Sequence, residues 1–302
     1  MQRQQGHRLI VAERPGSGKT AYCGGVQGQL GLEGIPSKLV RVTPARLATW
    51  ATCPRKYRMT YLDRPAPSRA GAWANATLGA VVHNALRAYF ELRADQRSPE
   101  RAATLVREYW KSDGFASPEQ AGDYRRRAQE WVGSYVEQLA PDAVPLAVER
   151  WVSAPMGSII AEGRVDRIDD RHGEIVVVDY KTGRHGLRVD DARQSLALGL
   201  YALAARKTLR RPCWRVELHH LPTGTVAGWD HTAESLAALQ DRAEQLAGEL
   251  QAATDEFELG ADPQAMFPVR TGPHCSWCDF RAHCEEGRQA APSLPPWALL
   301  GD

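Results

Sequence analysis

No apolar run in the 302-residue chain approaches the length that spans a bilayer, and Met1-Gln-Arg-Gln-Gln5 carries no hydrophobic stretch of a secretory signal. The expectation is a soluble, cytoplasmic protein with no membrane partner. Charge of one sign is also scarce: 38 Lys and Arg against 36 Asp and Glu leave a formal net charge of +2. Whole-molecule charge therefore gives little attraction to nucleic acid, and any such site must be a local basic patch. Cysteines number six, and in a reducing compartment they are metal ligands or buried side chains rather than disulfides. No internal repeat is found. What remains is ordinary: 43% hydrophobic and 25% charged residues supply a packed core.

The pattern divides the chain. Residues 1–41 are a Gly-rich extension of uncertain order. A helix is predicted from Pro44 to about Tyr61, with Thr43 as N-cap and Pro44 at the first helical position. Leu78, Val82, Leu86, Tyr89 and Phe90 recur at helical spacing within about 72–92, and helices follow near 99–112 and 118–139. Strands are expected near 146–153, 157–169 and 174–180, the last two joined at Asp170-Arg-His-Gly173. A helix near 191–209, strands near 214–221 and 225–229, and a long helix near 233–257 come next. Phe267–Cys284 is short, Cys-rich and irregular.

The middle strands carry the chemistry. Gly163-Arg-Val-Asp166 and Val178-Asp179-Tyr-Lys181 put one carboxylate on each of two neighbouring strands. Phosphodiester hydrolysis needs anionic oxygens that hold a hard cation beside the scissile phosphate. Lys181 is offset by two from Asp179, so both point to one face of a strand. Its ammonium can orient a water and stabilise charge in the transition state. An isolated Asp-x-Lys is commonly a solvated strand end, and the upstream Gly-Arg-Val-Asp is what makes it specific. His83, on the helix near 72–92, is either a satisfied core histidine or an imidazole ligand beside the carboxylates. Gln194 and Tyr201, seven apart on the helix after Lys181, are candidates to touch phosphate or the lysine.

Cys275-x₂-Cys278-x₅-Cys284 gathers three thiols near the C-terminus, and Cys53 stands far upstream. Four thiolates complete a Zn²⁺ site or a [4Fe–4S] cluster. The remote fourth ligand and uneven spacing favour a cluster that staples the N-terminal helix to the tail. Cys23 and Cys213 have no such company.

In this order, His83, Asp166, Asp179-Tyr-Lys181, the Gln194/Tyr201 helix and the four cysteines resemble the PD-(D/E)xK nuclease superfamily, and within it the iron–sulfur branch. That branch holds the RecB-family exonucleases, AddB-type nuclease domains and CRISPR-associated adaptation nucleases. Thr43-Pro-Ala-Arg-Leu47, Cys53-Pro-Arg-Lys-Tyr57 and Phe267-Pro-Val-Arg270 belong to the likeness, which covers residues 42–286. It implies an α/β fold like that of restriction endonucleases: a mixed central sheet flanked by helices, a helical part at 42–140, the sheet core at 141–257, a cluster segment at 258–286, and a tail at 287–302.

The resemblance also implies Mg²⁺ or Mn²⁺ held by His83, Asp166, Asp179 and the Tyr180 carbonyl, with Lys181 as the catalytic lysine. It implies Cys53, Cys275, Cys278 and Cys284 as [4Fe–4S] ligands, Zn²⁺ being the lesser occupant. The implied activity is exonucleolytic hydrolysis of DNA, often at single-stranded ends, in recombination, repair or defence, with a helicase or CRISPR-adaptation partner. The alternative is a non-catalytic DNA-binding scaffold subunit. The family's Gln stands four residues before its Tyr; here that slot is Ala197, and Gln194 lies one turn earlier.

Two other signals compete. Glu13-Arg-Pro-Gly16-Ser-Gly18-Lys19-Thr20 resembles the end of a P-loop, but a carboxylate at its first position repels phosphate. For DNA contact, the basic and aromatic residues around Cys53 (Arg55, Lys56, Tyr57, Arg58, Tyr61) lead. Arg125–Arg127 with Tyr124 and Trp131, and Arg206–Arg211, follow.

Overall fold

A computed structural model describes residues 39–139 and 144–300. The P-loop-like stretch and Cys23 lie outside the described residues, as does the 1–41 extension up to residue 38. Among the described residues no helix is long and apolar enough to cross a membrane.

The described residues contain six strands in one mixed sheet: β1 (Val40–Val42), β2 (Ala147–Met156), β3 (Ile159–Arg171), β4 (Glu174–Lys181), β5 (Arg215–His220) and β6 (Thr225–Asp230). Their order is β1-β3-β4-β5-β6, and β2 pairs with β3. The β3–β4 hairpin closes through His172 (φ 56) and Gly173 (φ 93) between the paired Arg171 and Glu174. Two consecutive positive-φ residues make the primed turn whose twist suits a hairpin.

β3 is the organising strand. Antiparallel β2 runs along one edge from Ile159 to Ile168. The other edge is shared by parallel β1, at Ile159–Ala161, and antiparallel β4, at Arg167–Arg171. Between them, residues 162–166 have no strand partner on that edge among the described residues. The fork this leaves is where Asp166 sits.

Helices cover both faces. Leu198, Leu200, Ala202 and Leu236, on α7 (Leu196–Leu209) and α8 (Ala233–Glu258), pack with Ile168, Ile175 and Val177 of the sheet. On the opposite face Leu78, Val82, Leu86 and Phe90 of α3 (Ala74–Glu91) meet Val176, Val178 and Tyr180, backed by α4 (Pro99–Glu108) and α5 (Pro118–Glu137). Burying each such side chain stabilises the fold by ~1.5–3 kcal/mol relative to exposure. Ile175–Val178 are all buried, as expected of a strand covered on both faces.

Two predicted helices are broken. The one expected over 44–61 is α1 (Pro44–Thr52) and α2 (Pro54–Tyr61), because Pro54 disfavours helical backbone at Cys53, which is extended (φ −161). Its start is as expected: Thr43 accepts from the Arg46 N–H at 3.2 Å. The one expected over 191–209 is α6 (Val189–Arg193) and α7. Gln194 ends α6, and Ser195 starts α7 by accepting from the Leu198 N–H. Gln194 is therefore off the helix that carries Tyr201, and the two do not share a helix face.

Candidate active site

The alternation of β4 sorts the Asp179-Tyr180-Lys181 run. The Tyr180 ring goes into the α3/α5 core, edge-on to His83 (5.8 Å between centres, 89°) and to Tyr135 (5.7 Å). Asp179 and Lys181 take the other face, where Lys181 Nζ lies 2.5 Å from Asp179 Oδ2. Asp179 is mostly buried, whereas Lys181 is 46% exposed and can reach a substrate.

Asp166 stands where β3 and β4 part. The ladder is regular to Arg167↔Val178, and beyond it the Tyr180 N–H donates to Asp166 Oδ2 at 3.0 Å instead of to a backbone carbonyl. His83 closes the group from α3. Its Nδ1 is 3.4 Å from Asp166 Oδ2, and its Nε2 donates to the Tyr180 carbonyl at 3.2 Å. Burial opposes charge on the ring, but the hydrogen bond to Asp166 and the charges of Asp166 and Asp179 outweigh it, and the His83 pKa rises.

The structure adds Glu149, a residue the sequence did not single out. Ligand atoms of His83, Glu149 and Asp166 lie within 4.8 Å of one another. Asp179 is not in that trio; it stands beside it, held by Lys181. Glu149 has a left-handed backbone (φ 49), uncommon for a non-glycine residue. It interrupts the β2–β3 ladder: Val148↔Arg167 and Arg150↔Val165 pair, while Glu149 and Asp166 between them do not. A backbone outlier of this kind costs ~1–3 kcal/mol and persists where the surroundings enforce it, commonly at functional sites. The only signal in the sequence was an acidic residue near the start of a strand.

The carboxylates of the site are desolvated and crowded together. Burial raises the pKa of Asp179, and the neighbouring Asp166 raises it further against the pull of Lys181. Burial and Asp166 likewise raise Glu149, with Arg164 at 2.6 Å offsetting part of this. Desolvated carboxylates that repel one another are relieved by a cation.

Tyr201 of α7 reaches the same place over Gly163. A Cβ at Gly163 would lie 2.7 Å from the Tyr201 ring, so the glycine of Gly-Arg-Val-Asp is what lets the tyrosine cross β3. Burial, then the charges of Asp179 and Asp166, push the Tyr201 hydroxyl up to about 12, so it stays protonated as a donor. Gly163→Ala is expected to cost ~1–3 kcal/mol by overpacking and to lower activity by displacing Tyr201. Urea unfolding and a cleavage assay on the same sample check both. Gln194 is exposed at the α6–α7 junction. Asp169, the second aspartate of the motif, is committed elsewhere: it holds Arg167 at 2.6 and 2.7 Å, and Arg167 in turn donates to the Tyr135 hydroxyl that backs Tyr180.

A model of the PD-(D/E)XK nuclease superfamily matches residues 41–285. The chain belongs to that superfamily. No curated protein sequence matches this superfamily member. A solved structure from Eubacterium rectale, described as a candidate exonuclease, is similar to it at 10% identity and a TM-score of 0.43, over 69% of this chain and 79% of that one. The solved structure of SSO0001 is similar at 14% identity and a TM-score of 0.35, over 84% and 89%.

The four singled-out cysteines of this PD-(D/E)XK protein line one cavity. Cys53 sits at the α1–α2 break, Cys275 and Cys278 in and after the turn Pro273–Trp277, and Cys284 before α10 (Glu285–Ala290). Gly287 donates its N–H to Cys284 Sγ at 3.3 Å, and a Cβ there would stand 3.3 and 3.6 Å from the sulfurs of Cys284 and Cys275. Arg55 of α2 bonds Glu286 of α10 at 2.7 and 2.8 Å, tying the two helices together beside the thiols. Cys213 lies apart in the sheet core, where burial pushes its thiol up to about 12.

Proposed function

We propose that the chain is a metal-dependent deoxyribonuclease that hydrolyses phosphodiester bonds, working on single-stranded DNA ends. The observation that carries this is the convergence of His83, Glu149 and Asp166 within 4.8 Å, beside Asp179 and Lys181 at the parting of β3 and β4. The donor set fits a hard or borderline divalent ion such as Mg²⁺ or Mn²⁺: desolvated carboxylates, one imidazole and the Tyr180 carbonyl. His83, Asp166, Asp179, Glu149 and the Tyr180 carbonyl would hold it. When bound, the ion lowers the pKa of a water and neutralises charge on the phosphate.

The chain's own groups do the rest. Lys181, held at 2.5 Å by Asp179, orients the attacking water and donates to a phosphate oxygen. Tyr201 supplies a neutral hydroxyl donor beside it. The Asp166 carboxylate, accepting from the Tyr180 N–H, fixes that carbonyl and through it the His83 ring. Gln194 would reach substrate only from the α6–α7 junction.

The test is digestion of end-labelled single- and double-stranded DNA with Mn²⁺ or Mg²⁺, with Asp179→Ala as control. Metal-dependent loss of label is expected from the native chain. Binding without cleavage would mark a scaffold subunit instead. Glu149→Gln is expected to raise the Mn²⁺ concentration for half-maximal activity by roughly 10–100-fold; a metal titration of initial rates measures it. The four thiols would hold a [4Fe–4S] cluster that staples α2 to the tail. Action in recombination, repair or defence beside a helicase or CRISPR-adaptation partner accords with this reading.

A further inference from the structure

A cleft of about 480 Å³ opens beyond the carboxyl ends of the parallel strands β4 and β5. One wall is the loop Thr182–His185, which begins at the residue after Lys181. The opposite wall is α5, which presents Tyr124, Arg127 and Trp131. Arg127 lies 4.7 Å from the Tyr124 ring centre and 5.7 Å from that of Trp131. Arg127, Arg184 and His185 are exposed, and among the described residues no carboxylate lines the cleft. The loop is pinned: His220 Nε2 donates to the Gly183 carbonyl at 2.6 Å, and its Nδ1 meets the Thr223 hydroxyl at 2.7 Å. At the start of α3, the Asn75 amide oxygen is buried without a hydrogen-bond partner on the same cleft.

Cations and aromatic faces without counter-charge suit phosphates and unpaired bases. An unsatisfied amide oxygen suits a base N–H donor. Three of the five residues in the basic and aromatic cluster around Cys53, the first candidate from sequence, are otherwise engaged. Arg55 is bound to Glu286, Arg58 pairs with Asp63 at 3.0 Å, and Tyr57 is fully buried.

We infer that this cleft is the strand subsite of the nuclease, an assignment that rests on the proposed activity. It holds a nucleotide of single-stranded DNA past the carboxyl end of β4, with the base against Trp131 and phosphates between Arg127 and Arg184. The loop after Lys181 thus links strand binding to the lysine.

The test is fluorescence anisotropy with a labelled single-stranded oligonucleotide in the absence of divalent metal, followed by cleavage kinetics with Mn²⁺. Trp131→Ala and the double variant Arg127→Ala/Arg184→Ala are each expected to weaken binding roughly tenfold. Trp131→Phe should restore most of the loss. KM should rise by a similar factor, with kcat changed far less. Circular dichroism confirms that the variants are folded. Native cleavage with binding and KM unmoved in both variants overturns the subsite and leaves the nuclease reading intact. Weakened binding in a chain that cleaves nothing upholds the cleft and removes the nuclease reading.

Discussion

Asp179→Ala and Lys181→Ala are each expected to cut metal-dependent DNA hydrolysis by roughly 10²–10³-fold or more, with the fold intact. The two residues form a contact pair at 2.5 Å, yet they fail for different reasons. Without Lys181 the water and phosphate lose their donor, and Asp179 loses the neighbouring charge that offsets part of the rise in its pKa. Without Asp179 the cation site loses a carboxylate, and Lys181 loses the partner that keeps its ammonium on the sheet face. Stability should move the other way for the aspartate. Burial and Asp166 already penalise its charge, so Asp179→Ala should hold or raise the melting temperature, the pattern of a site kept for function at a cost in stability. Lys181 is half exposed, and its removal should shift stability by no more than about 0.5 kcal/mol. Cleavage of end-labelled DNA and thermal melts on the same preparations check both. Full activity in either variant would sink the assigned site.

How much of this was legible follows from which forces are local. Thr43-Pro44 announced a helix start because capping and a fixed proline φ act within one turn. Asp170-Arg-His-Gly173 announced the hairpin because its glycine supplies positive φ, and the structure narrows the turn to His172-Gly173. Asp179 and Lys181 were legible through the period-two alternation of a strand. Other features depend on contacts far apart in the chain. β1 is three residues long and has no pattern of its own; it is a strand because β3 offers an edge at Ile159–Ala161. Glu149 joins the site through a left-handed backbone opposite Asp166, and no composition rule marks it. Gln194 looked helical because the apolar periodicity runs on either side of it, but Ser195 competes as an N-cap, and capping chemistry won over propensity. The role of Gly163 became readable only with the Tyr201 ring across it.

Cys53→Ser or Cys284→Ser is expected to bleach the protein and loosen its C-terminal segment. All four thiols line one cavity. A remote fourth ligand and the uneven spacing of the other three suit a [4Fe–4S] cluster, which takes one thiolate on each iron, better than the paired knuckles of a zinc site. Protein purified without oxygen should be brown, with iron and sulfide present and little zinc. Each Cys→Ser variant should lose most of that visible absorbance. Removing the staple leaves Phe267 anchored against Trp50, Tyr57 and Leu250, so the loosening should start beyond it. Limited proteolysis within residues 270–290 should speed up by about tenfold or more, while the sheet core resists. A colourless native protein carrying one zinc, with the tail equally protected in the variants, would refute the cluster. A colourless protein whose tail is freed by the same substitutions would keep the staple and change its metal.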